Sequence, residues 1–186
     1  MMAWLKRNWT FIVGALVVAV LVHVASVMAI PRLVMWRATG LMARNTGYNT
    51  MSHAVRATWQ SRTIVRPSPD LLYSSCPFDL DSTPRDALHV HASGMPDTYW
   101  SVSVFDADTN NVYVLNDRRA KGESVDFVII SGEGDDTLGD SGPPKIWVPT
   151  ARGVVLFRTL VDNEARFAEI DAARKHAACE PYVPQH

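Results

Sequence analysis

The chain lacks charge over one long segment and lacks acidic residues over its first third. No charged residue occurs from Asn8 to Pro31, and no Asp or Glu precedes Asp70, although the chain holds 19 acidic residues. Such an apolar run excludes a solvated loop or linker. A helix of roughly 20 apolar residues is long enough to cross the hydrocarbon core of a membrane. We therefore expect a transmembrane helix over residues 9–31, preceded by a tail of residues 1–8.

A cleaved secretory signal is the competing interpretation of this run. Lys6 and Arg7 supply a basic start, and the segment 27–29 (Val-Met-Ala) resembles a small-residue cleavage site. The apolar run, however, exceeds the roughly 7–15 residues of a typical signal. Pro31 would also lie just past the scissile bond. We therefore favour an uncleaved anchor over cleavage after Ala29.

The charges that flank the run do not decide its orientation. Lys6, Arg7 and the amino terminus lie before it, whereas Arg32, Arg37 and Arg44 lie after it. We prefer a cytoplasmic N-terminus, because the tail is short and its basic pair directly precedes the apolar run, as in signal anchors. This orientation predicts a single-pass protein of a bacterial inner membrane whose main domain is periplasmic.

The acid-free segment continues past the apolar run as a predicted basic, membrane-proximal stalk of residues 32–61. Arg32, Trp36, Arg37 and Arg44 are expected at the membrane surface, because anionic head groups attract each arginine by about 1 kcal/mol and Trp favours the interface. Membrane lipids are thus predicted partners. Ion pairs with acids of the folded domain are the alternative for some arginines. Nucleic acid is not an expected partner, since this cluster lies next to the membrane and lacks interleaved aromatic residues.

Residues 62–186 have the size of one domain and a mainly β pattern. Alternating or β-branched runs predict strands over residues 87–92, 99–105, 110–115, 126–131 and 153–160. Short strands at this spacing are typical of a sandwich or barrel. A loop is expected over residues 132–144. Asp162 or Asn163 can cap a short C-terminal helix that reaches Arg174.

Two cysteines, Cys76 and Cys179, lie far apart in the chain. In an exported domain a disulfide is the natural interpretation, and it would tie the C-terminal segment to an early strand. Two unpaired buried thiols are the alternative.

Several ordered segments of the chain resemble a known family. The first segment, residues 66–75, holds an Arg-Pro followed by an Asp and a Tyr, and an acidic strand end follows at Asp79-Leu80. The other segments are residues 85–90, 99–106, Thr109-Asn110 and 154–158. Together these segments resemble the bacterial domain-of-unknown-function family 1254, over most of residues 62–160. The resemblance implies a jelly-roll-like β-sandwich and a companion domain of family 1214, for which this chain is too short. It implies no established activity and no catalytic residues.

The first of these segments also has a physical interpretation of its own. Arg66, if buried, requires a partner, and Asp70 or Asp79 is a suitable carboxylate. The Tyr73 hydroxyl also requires a partner. We favour a structural brace at the start of a strand over the alternative, the wall of a ligand pocket.

Candidate chemistry in the domain is sparse. His89 and His91 are two residues apart on a predicted strand and share a face, which makes them weak candidates for metal ligands. Such a site would need a third ligand, for which Asp106 or His176 are the candidates. Asp70 and Asp79 could form a glycosidase pair only at a suitable separation. No Gly-x-Ser-x-Gly motif occurs. The sequence therefore predicts no catalytic residue, no metal and no cofactor.

Taken together, these features predict a membrane-anchored periplasmic β domain that acts as a binding or accessory module for a partner protein or membrane complex. The partner is expected to be a membrane protein or a separately encoded companion domain. Small residues on the apolar helix would allow close helix packing: Gly14, Ala15, Ala19, Ala25 and Ser26. The alternative is an envelope hydrolase that acts on a sugar or lipid-linked substrate.

Overall fold

A computed structural model describes residues 2–61, 67–120, 124–132 and 142–183. A long N-terminal helix leads into a domain that is mainly β and contains two sheets, as predicted. Arg66 and most of the loop predicted over residues 132–144 lie outside the described residues.

Helix α1 spans Met2–Thr46 without interruption, even though it contains Pro31. At 1.5 Å per residue its 45 residues extend about 68 Å, roughly twice the thickness of a hydrocarbon core. Its apolar part is long enough to cross a membrane, with a mean hydropathy of 2.6 over a window that is nowhere buried. Only its C-terminal third packs on the domain, where Met35 and Thr39 are buried. The first half of the predicted stalk is therefore a continuation of the same helix.

The first sheet contains five strands in the described part of the chain. They are β1 (Ser52–His53), β2 (Leu71–Asp79), β4 (Trp100–Asp106), β5 (Asn111–Asn116) and β8 (Arg152–Leu160). Their order is β1-β2-β8-β4-β5, and every neighbouring pair is antiparallel. Because β1 pairs with β2, the packed domain extends upstream of the predicted boundary at residue 62.

The second sheet contains four described strands. They are β3 (Ala87–Ala92), β6 (Val125–Ser131), β7 (Lys145–Val148) and β9 (Ala178–Pro181). The order is β7-β6-β3-β9, with β6 and β7 parallel. Because a jelly roll is built from antiparallel Greek keys, this strand order establishes a two-sheet β domain and not the jelly roll itself.

One apolar core joins the inner faces of the two sheets. Phe78 and Phe157 of the first sheet pack with Leu88 and Phe127 of the second, and all four are almost fully buried. The predicted disulfide is confirmed: Cys76 of β2 is bonded to Cys179 of β9, and it cross-links the two sheets through the core.

The C-terminal part also matches its prediction. Asn163 Oδ1 accepts a hydrogen bond from the backbone N–H of Ala165, which caps a helical turn that leads into α3 (Phe167–Arg174). A helix of one turn, α2 (Asp117–Ala120), follows β5. Helix α3 packs through the fully buried Ile170, and its last residue, Arg174, is also buried.

Candidate functional site

The junction between α1 and the domain is held by an ion pair across 76 residues of sequence. Arg32 Nε donates to Asp108 Oδ1 at 2.5 Å, and Arg32 Nη2 donates to Asp108 Oδ2 at 3.2 Å. This two-bond geometry is the strong form of an arginine–carboxylate contact. The Arg32 guanidinium lowers the pKa of Asp108 chiefly through this hydrogen bond. Arg32 therefore contacts the domain, which is the alternative that the sequence left open for the basic segment.

A buried carboxylate shapes the turn that carries Asp108. Asp106, which is fully buried, accepts hydrogen bonds from the backbone N–H groups of Asp108 and Asn110 and from the Asn110 side chain. Thr109 adopts a positive φ of 69° within this β4–β5 turn. The candidate metal ligand Asp106 is therefore a structural residue, and it fixes the backbone that presents Asp108 to α1.

The other predicted membrane-surface residues stay exposed. Trp36, Arg37 and Arg44 line a shallow cavity of about 210 Å³ on the outer side of α1, together with Gly40 and Leu41. Trp36 is 63% exposed. These side chains are free to contact head groups, whereas Met35 and Thr39 face the domain.

The apolar part of α1 carries a groove on one side. Small and apolar residues line it: Gly14, Ala15, Val18, Ala19, Val22, His23 and Ser26. They recur at intervals of three and four residues, so they share one face of the helix. Four of the five small residues predicted for helix packing thus lie together in this groove, and Ala25 is the exception.

The predicted brace residues are near one another in the chain but have separate partners. The backbone N–H of Ser68 donates to the Tyr73 hydroxyl at 3.0 Å. Asp79 accepts from Arg152 Nε at 2.9 Å, on the adjacent strand β8. The Asp70 carbonyl accepts from the backbone N–H of Val161 at 2.9 Å. Tyr73 and Asp79 therefore support strand β2 as a structural brace would, whereas the predicted contribution of Arg66 stays untested.

A buried arginine that the sequence reasoning missed braces the same strand. Arg174 Nη1 donates to the Tyr73 carbonyl at 2.9 Å and to Ser74 Oγ at 3.1 Å, and Nη2 donates to the Ala54 carbonyl at 2.8 Å. Its charge is balanced by Asp171 at 2.6 Å. The sequence contained only a weak indication that Arg174 is buried, because an arginine at the C-terminus of a helix is commonly exposed to solvent.

The outer face of the second sheet gathers the two candidate histidines and two carboxylates. His89 and His91 of β3 are neighbours, with ring centroids 4.7 Å apart. His89 Nε2 lies 2.7 Å from Asp126 Oδ1 of β6, and His91 Nε2 lies 3.4 Å from Glu180 Oε1 of β9. In register, Asp126 is opposite His91 and Glu180 is opposite His89. Both contacts are therefore diagonal, which long side chains on adjacent strands can reach.

This histidine face, defined by His89, His91, Asp126 and Glu180, borders a cavity of about 630 Å³. Tyr182 forms one wall, with its ring edge-on to His89 at a centroid distance of 6.0 Å. Beside these residues, on the same outer face of the sheet, lies a small apolar cluster: Ala87, Val128, Ile130 and Tyr182. The polar groups are therefore bordered by packed apolar side chains on the same face.

The expected third ligands do not join the histidines. His176 instead lies 3.2 Å from the Ser93 carbonyl through Nδ1. Among the described residues, Glu180 is the residue grouped with His89 and His91 as a potential metal ligand. Sequence reasoning missed Glu180, because its strand is only four residues long and its pairing with β3 is a long-range feature.

Comparison with known proteins identifies the domain. The family model described as "Protein of unknown function (DUF1254)" matches residues 48–181. The chain therefore belongs to this family, and the resemblance seen in the sequence is confirmed. No curated protein matches the chain.

A solved structure shares the fold at low sequence identity. The VPA0106 protein of Vibrio parahaemolyticus aligns with a TM-score of 0.60 and 12% identity, over 89% of this chain and 42% of that one. An uncharacterized protein of Burkholderia cenocepacia aligns with a TM-score of 0.42 and 14% identity, over 61% of this chain and 31% of that one. The chain thus spans less than half the length of either protein.

Proposed function

We propose that this member of the DUF1254 family is a membrane-anchored periplasmic module that binds a partner protein or serves as an accessory subunit of a membrane complex. One observation carries the proposal. The exposed apolar helix continues without a break into the domain, and the Arg32–Asp108 ion pair holds the domain beside it.

The position of that ion pair sets the distance between domain and bilayer. Arg32 lies two residues past Ile30, which ends the apolar run, so it is roughly 3 Å further along the helix axis. In the proposed arrangement the β4–β5 turn that carries Asp108 lies at head-group depth. A domain held there by a continuous helix has little freedom to swing away. It presents its surface to other proteins of the same membrane.

The disulfide supports an exported location. Disulfides persist in the bacterial periplasm and are rare in the cytosol. A cytoplasmic N-terminus with a periplasmic domain is accordingly the orientation that we propose, in a bacterial inner membrane. We also propose that the two packed sheets have the jelly-roll arrangement that the family implies.

The groove on α1 supports a partner within the membrane. Small side chains let two helix backbones approach closely. Close van der Waals packing drives helix association in a bilayer, because lipid tails are as apolar as the helices and the hydrophobic effect contributes little. A separately encoded companion domain is the second proposed partner. It fits the finding that the region of similarity is 42% of the Vibrio chain.

The test combines a helix exchange with a size measurement in mild detergent. The full chain and a variant with residues 9–30 replaced by an unrelated apolar span are expressed at native level, cross-linked and extracted. We expect a defined complex for the natural chain and its loss for the exchanged helix. Recovery of the natural chain solely as a monomer would refute the proposal. A complex that persists after the exchange would indicate that the partner contacts the β domain and not the helix.

Orientation has its own test. A reporter that is active only in the periplasm is fused after His186. An active fusion is expected, and an inactive fusion on a protein that is present in the membrane would overturn the proposed topology.

One observation favours a second candidate function, an envelope hydrolase acting on a sugar or lipid-linked substrate. The cavity of the histidine face carries two carboxylates, Asp126 and Glu180, beside two imidazoles that can move protons. Purified full chain would then release product from peptidoglycan fragments or lipid-linked sugar. If no product is released, or if the Asp126→Asn and Glu180→Gln variants release it at the same rate as the natural chain, the hydrolase function is refuted.

A further inference from the structure

We propose that His89, His91 and Glu180 bind a divalent transition-metal ion of the zinc class. One potential ligand atom from each of the three side chains lies within 4.8 Å of the others. Bonds of about 2.0–2.2 Å in a tetrahedral zinc site separate the ligand atoms by about 3.4 Å. His91 Nε2 and Glu180 Oε1 are 3.4 Å apart. Side-chain rotation on fixed strands closes the remaining separations.

The donor set specifies the class of metal. Two imidazoles and one carboxylate suit zinc and neighbouring transition ions, whereas magnesium and calcium prefer oxygen ligands throughout. Three protein ligands also leave one tetrahedral position open, as in zinc sites that bind a water or an external molecule. The cavity of about 630 Å³ beside Tyr182 provides room for that fourth ligand.

Asp126 takes a supporting position. Its Oδ1 lies 2.7 Å from His89 Nε2, which is a hydrogen-bond distance and shorter than the spacing of two ligands on one ion. When His89 Nε2–H donates a hydrogen bond to Asp126, the Nδ1 lone pair of His89 is left for the metal. A carboxylate that orients a ligating histidine in this way is a regular feature of zinc sites.

Backbone pairing prepares the three ligands. His89 and His91 project from the same face of β3, and Glu180 sits directly opposite His89 on β9. The disulfide fixes β9 at the adjacent residue, Cys179, which pairs in register with Val90 between the two histidines. The ligands therefore stand on strands that are hydrogen-bonded and cross-linked, and the site does not depend on the membrane role proposed above.

Zinc binding to the full chain in non-ionic detergent tests the proposal. The protein carries a tag without histidine, is stripped with a chelator, and is titrated with zinc chloride by calorimetry and against a chromophoric chelator. We expect one zinc per chain and a rise in the thermal midpoint. His89→Gln and His91→Gln should each weaken affinity at least ~100-fold, and Glu180→Gln at least ~10-fold. Asp126→Asn, as an outer-shell change, should weaken it by about 10–100-fold.

His176→Gln is the matched control, because it removes one imidazole from the same domain at a position outside the cluster. It should leave zinc affinity unchanged. Equal metal-free thermal midpoints of all variants exclude misfolding as the cause of lost binding. Zinc affinity that persists in the His89→Gln/His91→Gln double variant, or a wild-type chain that shows no saturation at about 1 mM zinc, would overturn the proposal.

Discussion

Loss of the disulfide between Cys76 and Cys179 should strongly destabilise the domain. The bond closes a loop with a sequence separation of 103 residues. In the chain-entropy model a loop of about 100 residues contributes about 4.7 kcal/mol, because the cross-link restricts the unfolded chain. This is comparable to a large share of the 5–15 kcal/mol that typically stabilises a domain.

The assay is urea unfolding of the full chain in non-ionic detergent, followed by near-ultraviolet circular dichroism of the packed aromatic residues. With a slope of about 2 kcal/mol per molar urea, a loss of 4.7 kcal/mol lowers the midpoint by about 2.3 M. The Cys76→Ala/Cys179→Ala variant is compared with the reduced wild type. Reduction keeps both buried side chains and removes only the cross-link, so it separates the entropic effect from packing.

Two results would refute this reasoning. The first is a midpoint that changes by less than about 0.5 M on reduction, which would correspond to only about 1 kcal/mol. The second is the detection of two alkylatable thiols in the full chain extracted from membranes without a reductant, since the bond would then not be part of the native domain.

Three further predictions concern the packing of β8, a half-buried histidine and the helix junction. Gly153→Ala should destabilise the domain by about 1–3 kcal/mol or more, because the new Cβ would lie 2.1 Å from the Phe105 carbonyl oxygen; an unchanged thermal midpoint would contradict this. His53 has a pKa below its usual 6.5, first because of burial and then because of nearby cations. The unfolded chain therefore binds the proton more readily, so stability should be full above about pH 6.5 and fall below it. A thermal midpoint that falls equally between pH 7.5 and 5.5 in wild type and His53→Gln would contradict that assignment. Arg32→Gln should leave the unfolding midpoint almost unchanged but broaden the spin-label distance distribution between α1 and the β4–β5 turn that carries Asp108. An unbroadened distribution would show that the ion pair does not hold the domain.

Strand prediction succeeded where the sequence alternates and failed where tertiary pairing decides. The five predicted strands agree with β3, β4, β5, β6 and β8 to within one residue at each end. Strand β2 was not delimited, because Pro77 lies inside it and proline argues against a paired strand. The Pro77 carbonyl accepts a hydrogen bond from the backbone N–H of Asn49, so the position of its missing N–H faces away from β8 and lies beyond the two residues that pair with β1. The four-residue strands β7 and β9 were too short to show periodicity.

The candidate sites divide in the same way. The pair His89 and His91 was recognisable, because side chains two residues apart on a strand share a face. Glu180 was not, because it is brought there by the pairing of β9 with β3. Asp106 looked like a potential ligand as an acidic residue, but its burial and three hydrogen bonds assign it to the turn.

By itself the sequence determined the long apolar helix, the mainly β character of the rest and the family. These are local or compositional properties, since hydropathy and alternation are written in neighbouring residues. Only the tertiary structure decided that Arg32 meets Asp108, that Cys76 meets Cys179, and that Glu180 completes the histidine face. Each of these contacts joins residues more than 70 positions apart, through the packing of α1 on the domain, the packing of the two sheets or the register of β9 on β3, and no local pattern specifies such distant contacts.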